Sequence, residues 1–151
     1  MGLYRERVGA ALFICRDESN AQALVSQALV AARRIYSMPP AHGALLAGRI
    51  LSSETLGASW RSELEAMCLR INGLRSGLRQ KLEEKSGRDF AFIEQEKGMF
   101  SFLGLSPEQA LLLRSEYSVY MLDSSRINVA GVNARNIDYL AESVAAVIKR
   151  A

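Results

Sequence analysis

The sequence predicts a mixed fold, α/β in its first third and α+β toward its C-terminus. Three observations predict it. Residues 8–15 read VGAALFIC, a short continuous apolar run of the kind buried on both faces of a parallel sheet. Trp60, Leu64, Met67, Ile71, Leu74, Leu78 and Leu82 recur at spacings of three and four, one apolar stripe along a helix of roughly 28 residues. Beyond Gly87 the texture changes to short apolar runs broken by turn residues, as in a small α+β unit.

Taken in order, the run at 8–15 is expected to be a strand. Asp17, Glu18, Ser19 and Asn20 then supply capping side chains and first-turn acid for a helix over about 20–36, with Leu24, Ala28, Ala31 and Ile35 on one face. Pro39 and Pro40 end it, because each proline pushes the residue before it out of helical geometry. Residues 41–51 read as a second, largely apolar helix. On the long helix that follows, Arg61, Glu63, Glu65, Arg70, Arg75, Arg79, Glu83 and Glu84 are assigned to the faces away from the stripe. Gly73 and Gly77 lower its propensity by about 1 kcal/mol each, so packing has to hold it.

After a turn at 86–89, strands are expected at 90–94 and 99–103 around a turn at Lys97 and Gly98. Ser106, Pro107, Glu108 and Gln109 form a helix start, with cap, first-position proline and acid, for a helix reaching about Glu116. Further short strands are expected at 119–122 and 127–130. Asn133 is expected to cap a final helix striped by Ile137, Leu140, Val144, Val147 and Ile148. The chain thus divides into 1–52, a connecting helix at 53–85, and a small α+β domain at 86–151. A lone buried-type strand in the first part lacks neighbours, so the chain reads as a piece of something larger.

Hydrophobic residues at 49% and charged residues at 23% give ordinary globular composition, which argues against disorder. The net charge of +3 is spread along the chain with no basic stripe interleaved with aromatics, so no nucleic-acid partner is expected. No run approaches the ~20 apolar residues of a membrane span. Cys15 and Cys68 lie in apolar surroundings at no metal-ligand spacing and read as buried free thiols; no metal site is expected. The polar, charged start points to the cytoplasm. Fifteen arginines stand against four lysines, a bias favouring forked contacts with carboxylates and phosphates, though codon usage also produces it.

Four segments, in order, resemble one family. They are residues 2–9 (GLYRERVG); Arg33, Tyr36 and Ser37 with Pro39, Pro40, His42 and Gly43; residues 98–102 (GMFSF); and residues 125–131 (SRINVAG). Together they resemble the C-terminal part of class I pyridoxal-phosphate-dependent aminotransferases of the aspartate and aromatic type. The resemblance implies the end of a large cofactor-binding domain over 1–52, the connecting helix, and the small C-terminal domain.

It also implies roles. Arg7 resembles the arginine that pairs with the cofactor phosphate, and Ser37 the serine that touches that phosphate across a dimer interface. Arg126 resembles the arginine that clamps the substrate α-carboxylate. Arg33 resembles the one that reaches the distal carboxylate of dicarboxylic substrates in the neighbouring subunit's site, with a solvated helix-end arginine, Arg33 or Arg34, as the rival reading. Phe100 resembles an aromatic wall near the substrate, with a core phenylalanine as its rival. His42, the only histidine, has no catalytic constellation in the sequence and reads as structural. Ser125 departs from the family, which has glycine before the carboxylate arginine; glycine there signals positive φ or close approach. Met38 departs too.

The family's Schiff-base lysine has no counterpart in these residues. Lys81, Lys85, Lys97 and Lys149 all lie far in sequence from the Arg7 motif, so no catalytic residue is assigned and the chain alone is expected to be inactive. The resemblance implies transamination between an aspartate or aromatic amino acid and a 2-oxo acid such as 2-oxoglutarate. It would require a missing N-terminal segment, and a homodimer is the expected assembly. The alternative is a non-catalytic module that folds and self-associates. An absorbance band from an internal aldimine, or transaminase turnover, in the purified chain would rule out the second.

Overall fold

Asp17 opens the first helix by occupying donors that a helix start leaves unpaired. Its extended backbone lets Oδ1 accept the Asn20 N–H at 2.8 Å, and helix α1 runs Glu18–Tyr36. The two bonds from Asn20 hold the Asp17 carboxyl below the usual carboxylate range. Arg33 and Arg34 sit in the last turn, where the helix dipole favours cations. The end is closed by Ser37, whose N–H donates to the Arg33 carbonyl at 3.0 Å with φ at 59°. Pro39 and Pro40 follow, and α2 spans His42–Ser52. A Cβ on Gly43 would stand 2.6 Å from the Glu6 Cβ, so only glycine lets this first turn of α2 lie against the loop before it.

The computed structural model describes residues 2–150. The chain divides into one unit ending at Leu64 and a second beginning at Glu65. That boundary falls inside the long helix α3, Glu54–Ser86. Among the described residues no helix is long and apolar enough to cross a membrane, and no three metal-ligating side chains gather.

Residues 8–15 do not form the expected strand. Leu12 is 93% and Ile14 104% exposed, and the sheet among the described residues contains only two strands, both in the second unit. A run of this composition becomes a buried strand only when neighbours pair with its N–H and C=O groups, and none are offered here. Cys15 is half-buried and Cys68 exposed, so neither is the buried thiol expected; both are free. The consequence is measurable by hydrogen exchange. Amides 8–15 should exchange within seconds, while those of Leu82, Val144 and Val147 should be slow. Equal protection in a strict monomer would contradict this partition.

In the second unit, Leu78 and Leu82 of α3 are wholly buried with Phe90, Ile93, Leu103, Leu113, Val144 and Val147. Residues 90–94 form no strand. Asp89 Oδ1 accepts the Ala91 N–H at 2.8 Å and starts a turn that becomes α4, Phe92–Gln95. That turn brings Phe90 and Ile93, three apart, into the core together, which helical but not strand periodicity allows. Strand β1 is Phe100–Phe102, inside the expected span. Helix α5, Pro107–Tyr117, carries the expected cap as a reciprocal box: Ser106 Oγ accepts the Gln109 N–H and Gln109 Oε1 accepts the Ser106 N–H.

Residues 119–122 are also not a strand, because their backbone groups are used elsewhere. Val119 N–H closes the end of α5 on the Leu113 carbonyl at 2.9 Å, and the Leu122 carbonyl takes the Ser125 N–H at 2.8 Å. Strand β2, Arg126–Asn128, is antiparallel to β1. It stops at Asn128, whose side chain accepts the Ala130 N–H at 3.0 Å and bends the chain into a 3-10 turn over Val129–Gly131. Helix α6, Ile137–Lys149, starts from Asn136 instead of Asn133. Asn133 organises the turn before it, accepting the Arg135 N–H at 2.9 Å through its side chain. Ile137, Val144 and Val147 of the expected stripe are buried, and Leu140 and Ile148 pack against the same core.

Candidate functional site

In the antiparallel pair, Phe102 lies opposite Arg126, Ser101 opposite Ile127, and Phe100 opposite Asn128. Phe100 and Arg126 are therefore diagonal neighbours on one face, within reach of long side chains. The Arg126 guanidinium carbon lies 4.8 Å from the Phe100 ring centroid. Stacking of this kind contributes about 0.5–2 kcal/mol and fixes the plane of the guanidinium. Both residues, with Arg114 and Tyr120, line an open cavity of about 490 Å³. Arg114 is already paired with Asp123. Arg126 enters none of the ion pairs among the described residues, so its fork is available to an anion in this cavity.

Ser125 explains how serine replaces a glycine before this arginine. Its φ is 60°, the left-handed region that glycine occupies freely, and it is buried. Strain of about 1–3 kcal/mol is the expected cost for a non-glycine residue there. Against it, Oγ accepts the Leu105 N–H at 3.3 Å and the carbonyl accepts the Leu103 N–H at 3.1 Å. The hydroxyl thus ties the entry to β2 to the loop that leads into α5, and Arg126 keeps its stacked position.

In the first unit, Arg7 is exposed at φ 50° in a turn and lines a concavity of about 350 Å³ with Leu3, Tyr4, Val8 and Gly9. Glu6, its neighbour in sequence, is engaged by His42 Nδ1 at 3.1 Å, which turns that carboxylate to another partner. The His42 side chain makes this contact while remaining largely exposed. Arg33 lines a groove of about 650 Å³ along α1 with Val25 and Leu29. Ser37 caps α1 and is exposed; it lines none of these three hollows. The structure therefore joins Phe100 with Arg126, while Arg7 and Arg33 occupy separate hollows in their own unit.

Arg75, expected on a polar face of the long helix, is 2% exposed. Its guanidinium donates to the carbonyls of Ile93 (2.9 Å), Gly98 (2.9 Å) and Phe100 (2.8 Å), and pairs with Glu96 at 3.3 Å. The signal was present in the spacing: 75 is four beyond Ile71 and three before Leu78, so it stands on the apolar stripe itself.

A family model described as "Aminotransferase class I and II" matches residues 1–144. The chain belongs to this aminotransferase family. It is 45% identical over 148 residues to the aspartate aminotransferase of Escherichia coli, covering 97% of this chain and 37% of that protein. Against the aromatic-amino-acid aminotransferase of Pseudomonas aeruginosa the identity is 43%, with the same coverages. Among solved structures, the aromatic-amino-acid aminotransferase of Burkholderia pseudomallei, covalently bound to pyridoxal phosphate, superposes with a TM-score of 0.86 at 41% identity, covering 97% of this chain and 37% of that one. The chain spans little more than a third of the length of the relatives it matches, and its mixed α+β, mostly helical make-up is consistent with a C-terminal subdomain of the aminotransferase fold.

Proposed function

We propose that this chain provides the anion-holding part of an aspartate- or aromatic-type transaminase site that uses pyridoxal phosphate to move an amino group between an amino acid and a 2-oxo acid such as 2-oxoglutarate. The observation that carries the reading is Arg126, stacked on Phe100 in an open cavity with no carboxylate partner of its own. In this role the Arg126 fork donates two parallel hydrogen bonds to the substrate α-carboxylate. The ring beneath it and the β2 backbone keep that fork from swinging, which is the orientation a positioned reaction needs. Phe100 presents its ring edge as a wall to the substrate.

Arg7 fits the cofactor phosphate: it is an exposed guanidinium in a concavity, with the adjacent Glu6 carboxylate drawn off by His42. Ser37 supplies a hydroxyl to that phosphate from a partner copy, and Arg33 receives the distal carboxylate of a dicarboxylic substrate. Pyridoxal phosphate, when bound, supplies the electron sink for breaking the bond at the substrate Cα. In this reading residues up to about 52 belong to a larger cofactor-binding domain, residues 53–85 connect, and residues from 86 form the small domain. The working assembly is a cytoplasmic homodimer.

The chain alone is proposed to be inactive. Lys81 and Lys85 are engaged by Asp138 and Glu142. Lys97 and Lys149 are the remaining side-chain amines of the 151 residues. The expected result is no lysine-linked adduct after borohydride reduction with micromolar pyridoxal phosphate. By contrast, aspartate–2-oxoglutarate turnover should appear when the chain is fused to the preceding segment of the E. coli relative. A stoichiometric adduct on the chain alone would sink the first part, and a folded, inactive fusion the second. A second reading, a module that self-associates without catalysis, is favoured by the exposure of Leu12, Phe13, Ile14 and Leu29. Sedimentation of the chain as a stable oligomer, together with an inactive fusion, would favour it.

A further inference from the structure

The segment 93–101 runs from within α4 through a stretch without regular structure into β1 at Phe100, yet Phe100 must be placed well enough for its ring to lie under one guanidinium. Beyond the pairing of β1 with β2, one side chain gathers it. Arg75 projects from α3 into the interior, and its terminal nitrogens meet three carbonyls of this segment together with the Glu96 carboxylate and, at 3.4 Å, the Ser101 hydroxyl. Ser101 Oγ in turn donates to Glu96. A buried guanidinium is tolerated only when its donors are satisfied and its charge is paired, and here both conditions are met by this segment. The contact reaches the site directly. Phe100 gives its carbonyl to Arg75 and its ring to Arg126, so the two arginines bracket one residue.

We infer that Arg75 is a positioning residue for the carboxylate site: by fixing the Phe100 backbone it sets the ring on which Arg126 is oriented. The inference rests on the carboxylate role of Arg126 for its functional consequence, though not for its geometry. A lysine cannot reproduce it, because one ammonium with three donors does not span acceptors arranged around a planar fork. Glu96 and Ser101 are secondary parts of the same clamp.

The test uses the ¹⁵N-labelled 151-residue chain, with two readouts. The first is the Arg126 Nε–Hε resonance, which the Phe100 ring current displaces; Phe100→Leu gives its undisplaced position. The second is the affinity for propanoate, followed by chemical-shift titration. Arg75→Lys should move the resonance at least halfway to the Phe100→Leu position and weaken propanoate at least fivefold. Glu96→Gln should do the same to a smaller extent. Leu82→Ala, which weakens the same core and removes none of the Arg75 hydrogen bonds, should leave the resonance where it is. If Arg75→Lys does not fold, Glu96→Gln and Ser101→Ala decide by the same readouts. An unmoved resonance in the folded clamp variants overturns the inference, as does an equal movement in Leu82→Ala. Arg126→Ala separates the two claims. If that variant binds propanoate normally, the carboxylate role fails, and the positioning claim stands or falls on the resonance alone.

Discussion

Replacing Arg126 by alanine in the catalytically complete protein should lower kcat/KM by two to four orders of magnitude for both aspartate and phenylalanine half-reactions. Breaking one side of a desolvated, hydrogen-bonded charge pair costs about 3–5 kcal/mol, and each ~1.4 kcal/mol is a tenfold rate factor. Every amino acid and 2-oxo acid carries the α-carboxylate, so the loss should not depend on the side chain. Arg33→Ala should behave otherwise. A distal carboxylate exists only on dicarboxylic substrates, so aspartate and 2-oxoglutarate should suffer while phenylalanine is largely spared. Less than tenfold loss on both substrates in Arg126→Ala would remove the carboxylate role. Equal damage to both in Arg33→Ala would remove the distal one.

The difference between these two arginines also shows where sequence reading reaches its limit. Both were picked out by motif, but only Arg126 has a neighbour in the structure that says how it is held. Phe100 and Arg126 are 26 positions apart, and nothing in their local spacing predicts that a three-residue ladder brings them to 4.8 Å. Elements with local chemistry were legible: Asp17 and Ser106 start helices as their side chains imply, and Pro39 follows a helix end. Elements that depend on partners were not. Residues 8–15 have the composition of a buried strand and, among the described residues, no strand pairs with them. Residues 90–94 have apolar residues enough for a strand, but Asp89 captures the Ala91 N–H and turns the chain. Arg75 has the charge of a surface residue and the position of a core one: Ile71 and Leu78 place it on the inward stripe.

That stripe carries the final expectation. Read from the sequence, Met67 and Leu82 are equivalent members of one apolar row. In the structure Leu82 is fully buried and Met67 is 53% exposed. Leu82→Ala removes methyl groups from a packed interior and leaves a cavity, costing about 2.7–5 kcal/mol. Leu82 lies in the second unit, which begins at Glu65; a domain of that size holds roughly 5–15 kcal/mol in total, and each kcal/mol lost shifts its midpoint by about 4–8 °C. Leu82→Ala should therefore lower the Tm of the 151-residue chain by more than about 10 °C. Met67→Ala loses little buried area and should stay within about 0.5–1 kcal/mol of the parent. Thermal denaturation at two protein concentrations decides the matter. Large losses in both variants, growing as the protein is diluted, would mean that a second copy covers the Met67 end of the helix and that its exposure does not persist in solution.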